Sequence, residues 1–271
     1  MLQSRFPLCG RRLCCLFQYP FPVEKSGEGA VWENPSKYKA DEAAIQAAPK
    51  ARFWRGFCEE EMMIIFDLDG TLYKTHVTEL PLLRRLCAAR NLILTPQDEY
   101  YLLHTSARHL LARVAPDMPE AEILRFSEEL RQGELIEVRA HGELFEGAAE
   151  LIRELHSAGY ILAICGMGEH DYIHAILEKC AIAPYFSYVY HRMEGKTKGE
   201  VMAMLLRDAG VTGEGCVMLG DSATDRTAAR ENGVPFIGVS YGYGAAALAD
   251  EDRLAADISE LREMLFTYLK G

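Results

Sequence analysis

Along residues 62–271 two hydrophobic rhythms alternate. Short continuous apolar runs at 62–66, 160–165, 187–190, 216–219 and 235–239 suit strands buried on both faces. Between them, apolar positions recur at helical spacing over 147–155, 172–180, 199–208, 226–231 and 258–269. The first of these helices should stop near Gly159, a residue that accepts the left-handed conformation of a helix C-terminus. This alternation predicts an α/β fold: a doubly wound, Rossmann-like parallel sheet with helices on both faces.

Residues 78–141 break the rhythm with helices alone. Leu103, Ala107, Leu110 and Val114 follow one helical stripe, and Ile123, Phe126 and Leu130 follow another. Asp117-Met118-Pro119 supplies a turn between them, with Pro just inside a helix start. The expected organisation is a core of residues 62–77 and 142–271, into which a small all-helical lid, residues 78–141, is inserted. His104, Thr105, Arg108 and His109 fall on the polar side of the first stripe. They form either a solvent face or contacts to a bound molecule.

Residues 1–61 have a different character. They show little periodicity, carry five of the 11 prolines and both tryptophans, and are close to neutral, so the net charge of -11 resides almost wholly in residues 62–271. Arg5, Arg11 and Arg12 precede any acidic residue, as in a targeting leader, but serine is sparse and the apolar stretch at 13–17 is short for a signal core. The other expectation is a disordered tail or a start-site artefact. Glu59-Glu60-Glu61 ahead of Met62-Met63 is what a purine-rich ribosome-binding site would encode if read in frame.

A hydrophobic content of 49% with 25% charged residues is ordinary for a soluble globular chain. The acidic balance argues against nucleic acid and anionic membrane as partners. It leaves small phosphate esters open, because one metal ion or lysine can invert the field inside a site. No apolar run reaches the roughly 18 residues of a membrane span. Cys87, Cys165, Cys180 and Cys216 lack zinc-like spacing and lie mostly in apolar patterns, as expected of core thiols in a reducing, cytoplasmic compartment.

Candidate chemistry falls in four patches. The first strand runs into Asp67-Leu68-Asp69-Gly70-Thr71-Leu72, which places two carboxylates at a strand's C-terminal edge, where open α/β sheets bind ligands. A Gly-rich stretch, Cys165 to Gly168, follows the second strand. Lys198 lies in Thr-Lys-Gly-Glu, and Gly220-Asp221-Ser222-Ala223-Thr224-Asp225 follows another apolar run. Clustered carboxylates call for a cation, and a hard ion such as Mg²⁺ suits oxygen ligands.

In this order, the patches resemble the haloacid dehalogenase (HAD) superfamily, in its branch of phosphatases with a helical cap, over about residues 62–271. Asp67 to Leu72 is similar to the first motif, Lys198 to the third, and Asp221 with Asp225 to the fourth. Tyr241-Gly242-Tyr243-Gly244 is similar to a late Gly-rich stretch of phosphoglycolate-phosphatase-like and nucleotidase-like members. The resemblance implies a Mg²⁺-dependent phosphomonoester hydrolase acting on a small soluble phosphate ester, as a monomer or homodimer. It implies that Asp67 attacks phosphorus to form an aspartyl-phosphate, and that Asp69 protonates the leaving alkoxide and then activates water. By the same resemblance, Asp67, Asp221 and the Asp69 backbone carbonyl hold Mg²⁺, Asp225 orients them, and Lys198 neutralises phosphoryl oxygens. Lys196 is the local rival for that lysine's role. Gly70 and Thr71 would support Asp69 and the phosphate.

The second motif departs from the family. Where the resemblance expects Ser or Thr, this chain has Gly166, so the expectation is a phosphate nest of backbone N–H groups from Gly166 through Met167 to Gly168. Cys165 is expected to face the core. His170 and His174, four apart, suit either a metal pair or a solvated helix face, the latter favoured by the lack of a third ligand nearby. Two other functions compete: a phosphomutase of the same superfamily, which the presence of Thr71 disfavours, and a catalytically weakened binding protein, suggested only by Gly166.

Overall fold

The computed structural model describes residues 62–103 and 105–270; the leader at 1–61 and His104 lie outside the described residues. The strands are β1 (Met63–Phe66), β2 (Ile161–Cys165), β3 (Tyr188–Tyr190), β4 (Cys216–Gly220), β5 (Phe236–Val239) and β6 (Leu254–Ala255). They form one six-stranded sheet in the order β3-β2-β1-β4-β5-β6, and every pairing is parallel. Phe66, the last residue of central β1, is level with Ile164 of β2 and Leu219 of β4. The chain therefore leaves three neighbouring strands at one edge.

The helices are α1 (Thr75–Ala88), α2 (Pro96–Leu102), α3 (Ala107–Val114), α4 (Glu120–His141), α5 (Ala148–Ala158), α6 (His170–Lys179), α7 (Lys198–Ala209), α8 (Ala223–Glu231) and α9 (Ile258–Tyr268). Alternate strand residues point to opposite faces, and each face has its own buried layer. Ile64, Phe66, Leu162 and Leu219 pack with Leu151 of α5, Ile176 of α6 and Leu261 of α9. Met63, Ile65, Ala163 and Met218 pack with Val201 and Leu205 of α7 and Ala229 of α8. This two-sided burial is why the strands read as unbroken apolar runs. Gly159 ends α5 with φ 93°, as its position suggested.

Helices α1 to α4 bury a third cluster that includes Leu82, Leu83, Leu110, Leu111, Phe126 and Leu130. Helix α1 begins at Thr75, ahead of residue 78, where the helix-only stretch was expected to start. The stripe through Leu103 and Ala107 does not form one helix. A capping box of Thr95 and Asp98 starts α2, which ends at Leu102, and a separate α3 follows Ser106. β6 has no counterpart in the hydrophobic pattern, because two residues carry no readable alternation. No helix of the described residues is long and apolar enough to cross a membrane.

Candidate active site

Asp67 follows β1 directly, and its N–H donates to the Leu219 carbonyl at 2.8 Å, so the sheet ladder itself fixes this carboxylate. Asp221 directly follows β4. Asp225 lies in the first turn of α8, where its Oδ2 accepts from the Ser222 N–H at 2.9 Å and Oγ at 2.7 Å in a reciprocal capping box. Lys198 opens α7 behind a second capping box, Thr197 with Glu200. Its Nζ donates to Asp67 Oδ1 at 2.5 Å and pairs with Asp225 Oδ1. Lys196, the rival, is exposed.

Asp67, Lys198, Asp221 and Asp225 are all nearly inaccessible, at 6%, 4%, 5% and 0% exposure. Oxygens of Asp67, Asp221 and Asp225 lie within 4.8 Å of one another, a grouping that could hold a metal ion. Asp225 thus stands among the converging carboxylates rather than only beside them. Burial, then Asp225, pushes Asp221 up to about 6. Burial also raises Asp67, with Lys198 opposing. Burial alone would lower Lys198, but Asp225 and Asp67 outweigh it and hold the ammonium charged. Three carboxylates against one lysine leave excess negative charge in a dry place, and an all-oxygen donor set suits a hard divalent cation such as Mg²⁺.

The Asp69 side chain stands apart from that cluster. Its Oδ1 accepts from Thr75 Oγ1 at 2.6 Å and from the Tyr172 hydroxyl at 2.8 Å. Burial raises its pKa, and those two hydrogen bonds pull the other way. Burial raises both carboxyls, but Asp67 touches a lysine that favours its ionised form, whereas Asp69, bonded only by neutral hydroxyls, is placed to give a proton. Neither Thr75 nor Tyr172 was identified from sequence. Thr75 could have been, since it lies just beyond the Asp-x-Asp segment at a helix start; Tyr172 is 103 positions away and left no local signal.

Two expected phosphate donors are otherwise engaged. The Gly70 N–H donates to the Tyr73 carbonyl at 3.0 Å, and the Gly166 N–H continues the sheet ladder to the Tyr190 carbonyl at 2.9 Å. Gly70 is instead needed for its shape: φ is 79°, and a Cβ there would collide with Asp221 Oδ2. The nest shrinks to the N–H groups of Met167 and Gly168, which make no hydrogen bond among the described residues. Neither Gly166 nor Gly168 adopts positive φ, so no left-handed turn demands glycine here. Thr71 Oγ1 faces Asp67 Oδ2 at 3.4 Å, and Cys165 faces the core with its thiol pushed by burial up to about 12.

The late Gly-rich stretch closes the site from the other side. Tyr243 and Gly244 N–H groups donate to Asp221 Oδ2 at 2.6 and 3.1 Å. The Tyr241 hydroxyl donates to the Thr71 carbonyl at 2.9 Å, and the Tyr243 hydroxyl meets His76 Nδ1 at 2.7 Å. Met167, Glu169, Arg192 and Lys196 line a cleft of about 580 Å³ beside the second loop. His170 and His174 stack at 4.3 Å between ring centroids with His191 at 5.0 Å from His170, yet among the described residues only the three aspartates bring donor atoms together as a metal group. Arg108 is exposed and paired with Glu120, and His109 Nδ1 meets Ser106 Oγ at 2.9 Å, which gives both the character of a solvent face.

Residues 64–239 match the family model described as haloacid dehalogenase-like hydrolase. The chain is 29% identical over 224 residues to a phosphoglycolate phosphatase of Agrobacterium fabrum, covering 76% of this chain and 93% of that one. It is 30% identical over 192 residues to a phosphoglycolate phosphatase of Caulobacter vibrioides, covering 66% and 79%. A solved haloacid dehalogenase-like hydrolase of Streptococcus pneumoniae superposes with a TM-score of 0.67 at 19% identity, over 77% of this chain and 98% of that one. The chain belongs to the haloacid dehalogenase-like hydrolases, as a phosphatase of their phosphoglycolate-phosphatase-like branch.

Proposed function

We propose that the chain is a Mg²⁺-dependent phosphomonoesterase of the cytoplasm that works through an aspartyl-phosphate on Asp67, with a small soluble phosphate ester as substrate. The observation that carries the reading is the division of labour between two carboxylates: Asp67 against Lys198, Asp69 against Thr75 and Tyr172. Asp67 attacks phosphorus in line while Asp69 gives its proton to the departing alkoxide. Asp69 then takes a proton from the water that cleaves the acyl-phosphate. Lys198 stays charged and neutralises a phosphoryl oxygen, and the Met167 and Gly168 N–H groups bind others. Asp67, Asp221, Asp225 and the Asp69 carbonyl are the groups that would hold Mg²⁺. Bound there, the ion supplies charge neutralisation for the phosphoryl group and lowers the pKa of Asp67. Helices α1 to α4 serve as a cap over the edge of the sheet.

Phosphate release from a generic aryl phosphate, by the purified chain, tests the reading. Activity should be lost on chelation and return with Mg²⁺. Turnover that is indifferent to chelation, or absent at every divalent ion tried, would reject it.

A further inference from the structure

Three distant parts of the chain meet at Tyr243. The N–H groups of Tyr243 and Gly244 donate to Asp221 Oδ2 at 2.6 and 3.1 Å. Asp221 belongs to the carboxylate group that could hold a cation. The hydroxyl of the same tyrosine accepts from the His76 N–H at 3.0 Å and meets His76 Nδ1 at 2.7 Å, which ties it to the first turn of α1. Its carbonyl accepts from the hydroxyl of Tyr100, on α2, at 2.8 Å.

The packing around these contacts is close. A Cβ on Gly70 would lie 2.9 Å from Tyr243 Cδ2, so the ring presses on the turn that follows Asp69. A Cβ on Gly242 would lie 2.6 Å from the Gly70 carbonyl oxygen, and one on Gly244 2.7 Å from the Asp221 carbonyl oxygen. The half-buried ring also stands edge-on to His76, with centroids 5.8 Å apart. Hydrogen bonds from N–H groups to an ionised carboxylate are short and strong, and they fix where that carboxylate points. The hydroxyl and carbonyl of Tyr243, held by α1 and α2, fix in turn where its own N–H points.

On the Mg²⁺-dependent reading above, we infer that Tyr243 is a positioning residue for the cation site, and that Tyr100 makes helix α2 part of that site's support although none of its residues is in the carboxylate group. The hydroxyl is the acting group of both tyrosines: phenylalanine keeps the ring and the backbone and loses only the anchoring hydrogen bond. Partners that orient a metal ligand govern affinity together with the ligand itself. Coupling of this kind is reciprocal. If α2 bound to Tyr243 strengthens cation binding, the cation must strengthen the hold of α2 on Tyr243.

The test uses the full chain, without substrate. Calorimetric titration with Mg²⁺ should give Tyr243→Phe an affinity about tenfold below that of the native chain, with Tyr100→Phe shifted in the same direction. Amide hydrogen exchange supplies the reciprocal measurement. Saturating Mg²⁺ should slow exchange within α2 of the native chain, and Tyr100→Phe should abolish that slowing. Thermal midpoints in metal-free buffer show that each variant is folded. Tyr100 is exposed, so its variant carries the test should Tyr243→Phe fail to fold. Equal Mg²⁺ affinity in the native chain and in every folded variant overturns the inference and leaves the Mg²⁺ reading standing, whatever the thermal midpoints do. Exchange in α2 that is indifferent to Mg²⁺ overturns the part assigned to Tyr100. A native chain that binds no Mg²⁺ overturns both the inference and the reading it rests on.

Discussion

Asp67 and Asp69 are two residues apart and share a strand end, the first buried and the second half-buried, yet their neighbours differ. Lys198 at 2.5 Å equips one to carry charge, and burial holds the other above an ordinary carboxylate despite the two hydroxyls that bond it. Asp67→Asn should lower kcat by at least about 10³, because an amide cannot supply the attacking oxygen; near-normal Mg²⁺-dependent turnover would refute the mechanism. Tyr172→Phe gives a subtler reading. The tyrosine's hydrogen bond favours the ionised form of Asp69, so its removal should raise that pKa further. Activity that needs Asp69 protonated is lost as pH rises through its pKa, so the alkaline limb of the pH–rate profile should move upward in the variant. A limb that moves downward would assign Asp69 another role. The Asp-x-Asp pair was legible in the sequence because both residues lie within one apolar-run boundary. Tyr172 was not, because α6 brings it in through tertiary packing alone.

At the level of elements, the site is a set of helix starts and strand ends. Asp225 and Lys198 both enter through capping boxes, Ser222 with Asp225 and Thr197 with Glu200, so the signals that begin α8 and α7 also aim the charged groups. Ser222→Ala should cost about 1 kcal/mol of stability through the lost cap. It should also weaken Mg²⁺ binding, measured calorimetrically, because Asp225 loses a donor to Oδ2. Unchanged metal affinity would show that the backbone N–H alone holds Asp225. Gly166→Ser tests the shortened nest. Its N–H is already engaged with Tyr190, and the new Cβ would meet Ile173 Cδ1 at 2.8 Å. Little or no gain in kcat/KM is expected, and a rise of about tenfold would mean that a hydroxyl was missing after all. Here the sequence misled in a definable way: two glycines suggest unusual backbone, but the ladder pairing that occupies an N–H is invisible until β3 is placed. The long strands and helices were readable because burial on both faces and on one face leaves different periods. The break between α2 and α3 was not, since a stripe continues across it.

Across the whole molecule, the acidic balance is concentrated inward as well as outward. Asp221 at about 6, Glu134 at about 7, and Glu79, Asp69 and Asp67 all lie above their ordinary values through desolvation, reinforced by neighbouring carboxylates in every case but Asp69. Each such group binds its proton more tightly folded than unfolded. The stability it contributes is therefore fully present below the unfolded carboxylate pKa and is lost as pH rises through the folded value. Well hydrogen-bonded carboxylates such as Asp98, held down to about 2 chiefly by its hydrogen bonds with Thr95, act oppositely but in a more acidic window. In Mg²⁺-free buffer the thermal midpoint should accordingly fall between about pH 5 and pH 8. Glu134→Gln should flatten part of that fall, since an amide has no proton to lose. Saturating Mg²⁺ should offset the part that belongs to Asp67 and Asp221 and leave the part due to Glu79 and Glu134. A midpoint that rises over this interval without metal would mean that the buried carboxylates are already compensated in the folded chain, and would remove the electrostatic reason for a divalent cation at the site.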